Sequence, residues 1–341
     1  YLKELEYAYN NILNSYVEKV DEKELTNAAI KGMYNYLGDP YTSYLDKDST
    51  DNLMDRLKGE YKGIGVEITT NESGTVVMTV FENSPAEEAG IMVGDIITKV
   101  KGVDVNGKTT SEVSNMIKST NGNVEIEVNR GGITKTLTLK VSTVSIKSVI
   151  KNKYDKTGYL RIETFSNTTY KQFKESLETL EKDGIENLIV DVRNNGGGFL
   201  NSAVEIAELF VEKGKPIYGL QTKDKKEMYK DTTKEKRDYK VIVLINGGSA
   251  SASEVLAAAL KESYGATLLG TKSYGKGTVQ DTSELESGGM IKYTTAYWLT
   301  PKGVTINEKG LTPDIEVTGS FKDGMTLEND VELQTAINNL K

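Results

Sequence analysis

Two short runs carry the side chains best suited to chemistry. Gly248-Ser249-Ala250-Ser251-Ala252-Ser253-Glu254 sets serines at a glycine-containing corner, and twenty-five residues past Ser251 stands Lys276, within Gly275-Lys276-Gly277-Thr278-Val279-Gln280. A serine hydroxyl is a weak nucleophile until a base removes its proton. The chain contains no histidine and no cysteine, so its side-chain bases are carboxylates, tyrosinates and lysines. If the serine is catalytic, lysine is the natural partner. A free amine of pKa about 10.4 is neutral in only about one part in a few thousand at pH 7. Lowering it by about three units needs roughly 4 kcal/mol of bias against the ammonium, which burial supplies. On these residues alone, either Ser249 or Ser251 serves as nucleophile.

Each run also has a plainer reading. Ser251-x-x-Glu254 is a capping box, and a glycine-serine-alanine corner can exist for close packing. Gly270 to Lys276 fits the glycine and lysine spacing of a phosphate-binding loop, but Gly277 stands where magnesium binding needs Ser or Thr, and a strand follows instead of a helix. Gln280, four residues past Lys276, shares its face in an extended segment, so its amide can orient the amine. Asp191-Val192-Arg193-Asn194-Asn195-Gly196-Gly197-Gly198 follows another apolar strand. Its amides suit half of an oxyanion hole, or simply a tight turn.

The elements that must position these residues fall into three regions. Apolar spacing predicts helices over 2–16, 22–37 and 48–57, an N-terminal helical region within 1–59. From 60 to 144 β-branched strands predominate, at 65–69, 75–81, 95–100, 124–128 and 134–141, broken by short helices at 84–90 and 110–118. From 145 to 341 strand and helix alternate, which indicates an α/β layer with a largely parallel sheet. In it the buried strand 241–246 turns through Gly247-Gly248 into an alanine-rich helix, exposing a serine where free amides and the helix dipole favour negative charge. The charged stretch 224–238 reads as a solvated loop or hairpin.

Composition narrows the function. The chain has 341 residues, 37% of them hydrophobic, with 42 basic against 50 acidic residues and a net charge of -8. That length and apolar content support more than one packed core, and the charge gives a nucleic-acid partner little support. Without histidine or cysteine there is no disulfide framework, and zinc loses its commonest ligands. No apolar run is long enough to span a bilayer. The opening residue is Tyr1 rather than methionine, which suggests a leader or membrane anchor removed upstream.

Taken together, Gly248 to Glu254, Gly275 to Gln280, Asp191 to Gly198, Leu37-Gly38-Asp39-Pro40-Tyr41-Thr42 and Leu311-Thr312-Pro313-Asp314 resemble the carboxyl-terminal processing peptidases, in that family's order and over nearly the whole chain. The resemblance implies Ser251 as nucleophile, Lys276 as general base and Gln280 as the residue holding the lysine. Oxyanion donors would be the amide of Ala252 and one from Gly196 to Gly198, with Gly197 chosen. It implies a crotonase-like mixed sheet with helices for the core and a PDZ domain inserted after the helical cap. Gly63-Ile64-Gly65-Val66 becomes a carboxylate-binding loop, where a peptide adds as a strand, and Val113, Met116 and Ile117 supply an apolar pocket for its last side chain. The implied protein is an endopeptidase needing no metal or cofactor, acting on protein or peptide substrates with exposed apolar C-termini. Its implied setting is extracytoplasmic, membrane-associated or secreted, and compatible with an oligomer. The embedded module is expected to gate or deliver substrate. The competing expectation is a non-catalytic PDZ scaffold that binds C-terminal tails.

Overall fold

The computed structural model describes residues 1–319, 321–322 and 324–341, the Asp48 side chain excepted. Its main layer is a six-stranded sheet in the order Val149–Tyr154, Thr157–Ile162, Asn187–Asp191, Lys240–Ile245, Thr267–Gly270, Ile315–Glu316. The first two strands form a hairpin and the remaining neighbours are parallel. Val241, Val243 and Ile245 enter a core shared with helices Thr169–Lys182, Leu200–Glu208 and Ala252–Ala259. The intervening Ile242 and Leu244 meet Leu333, Ala336 and Leu340 of the C-terminal helix Val331–Leu340. A sheet covered on both faces needs apolar residues at every position, which is why these strands read as unbroken apolar runs.

A second, antiparallel sheet joins Ser43–Leu45, Met290–Leu299, Pro216–Gln221 and Lys226–Lys230, with Thr278–Glu284 also paired to Met290–Leu299. The N-terminal region, expected to be helical, therefore gives a strand to this sheet after helices Leu2–Ser15 and Glu22–Asn35 and before Lys47–Lys58. Its three residues are too short a run to show a period of two. The charged stretch supplies Lys226–Lys230, which forms a hairpin with Pro216–Gln221. Helix Ala252–Ala259 continues as a π turn over Leu260–Tyr264 and ends at Gly265, φ 102°.

In chain order, between helix Lys47–Lys58 and strand Val149–Tyr154, comes a β-rich module with its own sheet. Its strands run in the order Val66–Asn71, Gly74–Val80, Ile96–Val100, Asn123–Arg130, Ile133–Lys140 around a core that includes Val77, Val100, Val113, Ile117 and Ile126. Ser84 caps Pro85–Glu88, and Thr109 with Glu112 forms a full capping box on Thr110–Lys118. The chain enters and leaves through the antiparallel pair Glu60–Gly63 and Ser142–Ser145. A half-buried ion pair, Lys118 to Asp55 at 2.8 Å, ties the module's helix to Lys47–Lys58.

Candidate active site

The corner between strand Lys240–Ile245 and helix Ala252–Ala259 distributes its serines among different tasks. Ser249 is fully buried; its hydroxyl donates to the Val192 carbonyl at 2.7 Å and accepts from the Asn246 amide at 3.0 Å. Ser253 is buried too and donates to the Asn195 carbonyl at 2.8 Å. Ser251 remains partly exposed, with φ 58° and ψ -118° immediately before the helix. A non-glycine residue held in the left-handed half of backbone space costs of order 1–3 kcal/mol and persists only where its surroundings impose it. The Ala252 amide, at the helix start, has no hydrogen-bond partner among the described residues.

The glycine loop after Asn187–Asp191 is bonded to this corner. Asn194 and Asn246 pair reciprocally, main chain to side chain and side chain to side chain, each at 2.9 Å, and the Ala250 amide donates to the Asn195 carbonyl at 3.0 Å. Gly197, φ 100°, packs so closely that a Cβ there would lie 2.8 Å from the Ser251 Cβ and 3.0 Å from the Ala252 nitrogen. The expectation that Gly197 donates an oxyanion hydrogen bond needs correction in this conformation, because its amide already donates to Asn195 Oδ1 at 2.9 Å. Behind the loop Arg193 is buried against Asp191, Asp330 and Glu332, at 2.6–2.7 Å, which joins the C-terminal helix to it.

Lys276 is fixed by its main chain. Its amide donates to Glu254 Oε2 at 3.0 Å and its carbonyl accepts from the Trp298 indole at 2.7 Å. The same Oε2 accepts the Ser251 amide at 2.9 Å, while Oε1 accepts Ser273 Oγ at 2.5 Å and the Gly275 amide at 2.8 Å. One buried carboxylate thus ties the backbones of Ser251 and Lys276 together. Burial pushes the Glu254 carboxyl above its usual range against the pull of these four hydrogen bonds. Burial likewise holds the Lys276 amine below its ordinary value, helped by Lys292 and opposed by Asp39 and Glu254. Its Nζ lies 4.6 Å from the centre of the Tyr41 ring and makes no hydrogen bond within the described residues, to Ser251 or to any other. Hydrogen bonds between nucleophile and base are often long in unliganded enzymes and tighten with substrate.

The structure does not bring the Gln280 amide to Lys276 as the sequence predicted. Lys276 lies before strand Thr278–Glu284 begins, so strand alternation does not by itself connect the two; the register shift opposite Val279 and Gln280 is taken up by the extra residue Thr295 of Met290–Leu299. Gln280 Nε2 instead donates to Thr278 Oγ1 at 2.9 Å and Thr294 Oγ1 at 3.2 Å. Thr294 in turn donates to Asp39 Oδ2 at 2.5 Å, which also accepts from Thr42 at 2.6 Å. Asp39 and Tyr41 stand inside the Leu37 to Thr42 stretch, which sequence reading noticed without giving it a task. Thr294, on a strand far along the chain, carries no sequence signal. Glu254 was visible only as a helix cap.

In the β-rich module Gly63 and Ile64 are buried, and Val66 opens the edge strand. Val113 and Ile117, expected to line an apolar pocket, are packed in the module's core with Ile64, because the helix turns that part of its apolar stripe inward. Met116 is the member of that set left partly exposed. The Tyr61 hydroxyl lies 3.5 Å from the Val66 carbonyl, at the Gly63 to Val66 turn.

Comparison with known proteins fits this geometry. Residues 156–317 match Peptidase family S41, residues 63–141 a PDZ domain, and residues 1–49 an activating protease CtpB N-terminal domain. The probable CtpA-like serine proteases of Staphylococcus haemolyticus and Staphylococcus aureus are 37% and 38% identical over 320 residues. Those alignments cover 93% of this chain, which spans 64% of the length of these relatives. Among solved structures, a photosystem II D1 C-terminal processing protease is 30% identical with a TM-score of 0.55, covering 93% of this chain and 86% of that one. A putative S41 protease from Bacteroides fragilis, 14% identical with a TM-score of 0.56 over 98% and 96% of the two chains, shares the fold. The chain belongs to peptidase family S41, with a PDZ domain set between its N-terminal helices and its α/β core.

Proposed function

We propose that this chain is a serine endopeptidase that takes protein substrates by their C-terminal tails and cleaves them with a Ser251–Lys276 dyad. The observation that carries the reading is the Glu254 carboxylate. A single oxygen accepts the amides of both Ser251 and Lys276, which fixes the two backbones side by side. The depressed basicity of the amine and the free Ala252 amide support it.

Ser251 Oγ attacks the scissile carbonyl carbon while neutral Lys276 takes the hydroxyl proton. The tetrahedral oxyanion is held by the Ala252 amide and a second donor from the Gly196 to Gly198 turn; Gly197 can serve only by leaving Asn195. Collapse returns the proton from Lys276 to the leaving amine and leaves an acyl-enzyme. Water, deprotonated by Lys276 in a second round, then releases the new C-terminus. Tail recognition falls to the PDZ domain, where the open edge of Val66–Asn71 suits strand addition and the Gly63 to Val66 turn suits a carboxylate. The family resemblance also carries an extracytoplasmic location; among the described residues no helix is long and apolar enough to cross a membrane.

The test is incubation of an unfolded protein with wild type, Ser251→Ala and Lys276→Ala, each checked for folding by circular dichroism. Cleavage by wild type alone is expected. Wild-type turnover by the Lys276→Ala variant removes the assigned base. Absence of cleavage by all three, with retained binding of free C-terminal peptides, favours the scaffold instead.

A further inference from the structure

The hydrogen bonds around Gln280 have a fixed direction, and it begins at Asp39. A carboxylate can only accept, and Asp39 stays ionised: burial pushes its pKa up, but bonds from Thr294, Thr42 and the Tyr41 amide hold it below the usual range. The Thr294 hydroxyl proton is therefore committed to Asp39 Oδ2, at 2.5 Å. Thr294 Oγ1 can then act toward Gln280 only as an acceptor, so Gln280 must present its NH2 group there, at 3.2 Å. Its other amide proton goes to Thr278 Oγ1 at 2.9 Å. Gln280 Oε1 is left without a partner among the described residues, and so is the Lys276 ammonium.

We propose that Asp39, acting through Thr294, is a positioning residue that locks the Gln280 side chain with its carbonyl outward, as the acceptor for Lys276 when the site engages substrate. The inference rests on Lys276 being the base. Were the amide reversed, two NH donors would face an ammonium and repel it. Asp39 Oδ1 accepts the Tyr41 amide at 2.9 Å within the turn, whereas Oδ2 accepts both the Thr42 hydroxyl of the same turn, at 2.6 Å, and Thr294 across on strand Met290–Leu299. A carboxylate needed only for the turn has no use for the contact to Thr294. The N-terminal region thereby enters the active site from more than two hundred residues away in sequence.

Thr294→Val removes the hydroxyl at nearly constant shape. Its kcat on an unfolded protein should fall roughly tenfold, the worth of one hydrogen bond to a charged group, with KM little changed. The rising acid limb of kcat, which reports the substrate complex, should move to lower pH, because an ammonium that loses an acceptor gives up its proton more easily. The other charged or titratable groups facing Lys276 are Lys292, Glu254, Asp39 and Tyr41, with Tyr274 beside Tyr41, and the threonine variant leaves each in place. Thr294→Ser should restore both values. Asp39→Asn keeps the turn-forming Oδ1 but lets the relay reverse, and should match the valine variant in kcat. Wild-type kcat in Thr294→Val, or a lower kcat with an unmoved acid limb, overturns the proposal. Turnover by Lys276→Ala would instead overturn the catalytic reading beneath it.

Discussion

Replacing Glu254 separates the role of its charge from that of its shape. The side chain is fully buried and accepts four hydrogen bonds, two on each oxygen. In Glu254→Ala all four donors lose their acceptor. Even at about 1 kcal/mol for each orphaned donor, the low end for buried groups, the loss is roughly 4 kcal/mol. Glutamine has one oxygen and a donating nitrogen, and its best orientation can be worked out from the partners. Nitrogen at the Oε2 position would meet the amides of Ser251 and Lys276, two conflicts that cannot rotate away. At the Oε1 position it meets one fixed donor, the Gly275 amide, and Ser273, whose hydroxyl can turn to accept while it also receives the Leu311 amide at 2.6 Å. Glutamine should therefore keep the Ser251–Lys276 tether and cost roughly 1–3 kcal/mol, one unsatisfied donor. Urea denaturation and kcat on an unfolded protein measure the two effects. The expected order is a folded, measurably active Glu254→Gln and a much less stable Glu254→Ala without useful turnover. An alanine variant as stable and active as wild type refutes the clamp, and a glutamine variant as damaged as alanine refutes the orientation argument.

Two further outcomes follow from individual groups. The Lys276 amine has a lower pKa folded than unfolded, so the unfolded chain binds more protons between those two values and stability rises with pH across that window. Below it the burial penalty is fully present: Lys276→Met should melt higher than wild type at neutral pH and lose that advantage above about pH 10.4, where both states are neutral, and an equal or lower neutral-pH Tm would contradict the assigned burial effect. Tyr61→Phe removes the hydroxyl that sits at the Gly63 to Val66 turn, 3.5 Å from the Val66 carbonyl. Peptides ending in a free carboxylate should then bind roughly threefold to tenfold tighter by fluorescence anisotropy, the worth of one displaced hydrogen bond, with amidated peptides unchanged; weaker binding would mean that the hydroxyl helps hold the ligand.

What could be read from the chain depended on whether the signal was local. The buried strands announced themselves because both faces of the sheet are covered, and the caps at Ser84 and Thr109 sit within a few residues of the helices they start. The serine and lysine runs stand out in the sequence because no imidazole competes for the role of base. By contrast, strand Ser43–Leu45 is defined by a partner more than two hundred residues later, and the Asp39–Thr294 bond spans a similar separation. Neither has a periodicity to detect. The Gln280 amide is taken by Thr278 and by Thr294, the latter on a strand distant in sequence, a contact that spacing from Lys276 does not register. Val113 and Ile117 were correctly placed on one stripe, but a stripe alone does not say whether it faces a groove or the core.

The Lys276 amine makes no hydrogen bond to Ser251, although both main chains are held in place. The lysine main chain is held at both ends, by Glu254 and by the Trp298 indole, and the serine main chain by Glu254 and by the hydrogen bonds of the glycine loop. With both backbones fixed, engagement requires rotation about the bonds of one lysine and one serine, motions that ordinarily take picoseconds to nanoseconds. Such rotations cannot by themselves make a slow switch. Whatever sets the resting position must act on the end of the lysine, which lies 4.6 Å from the centre of the Tyr41 ring. A π face attracts the ammonium and offers nothing to the neutral amine, so it favours the protonated, unreactive form. Tyr41 and Asp39 lie in one turn and both favour the ammonium, but they draw it to different places: the ring holds it away from the serine, while the carboxylate prepares Gln280 to receive it.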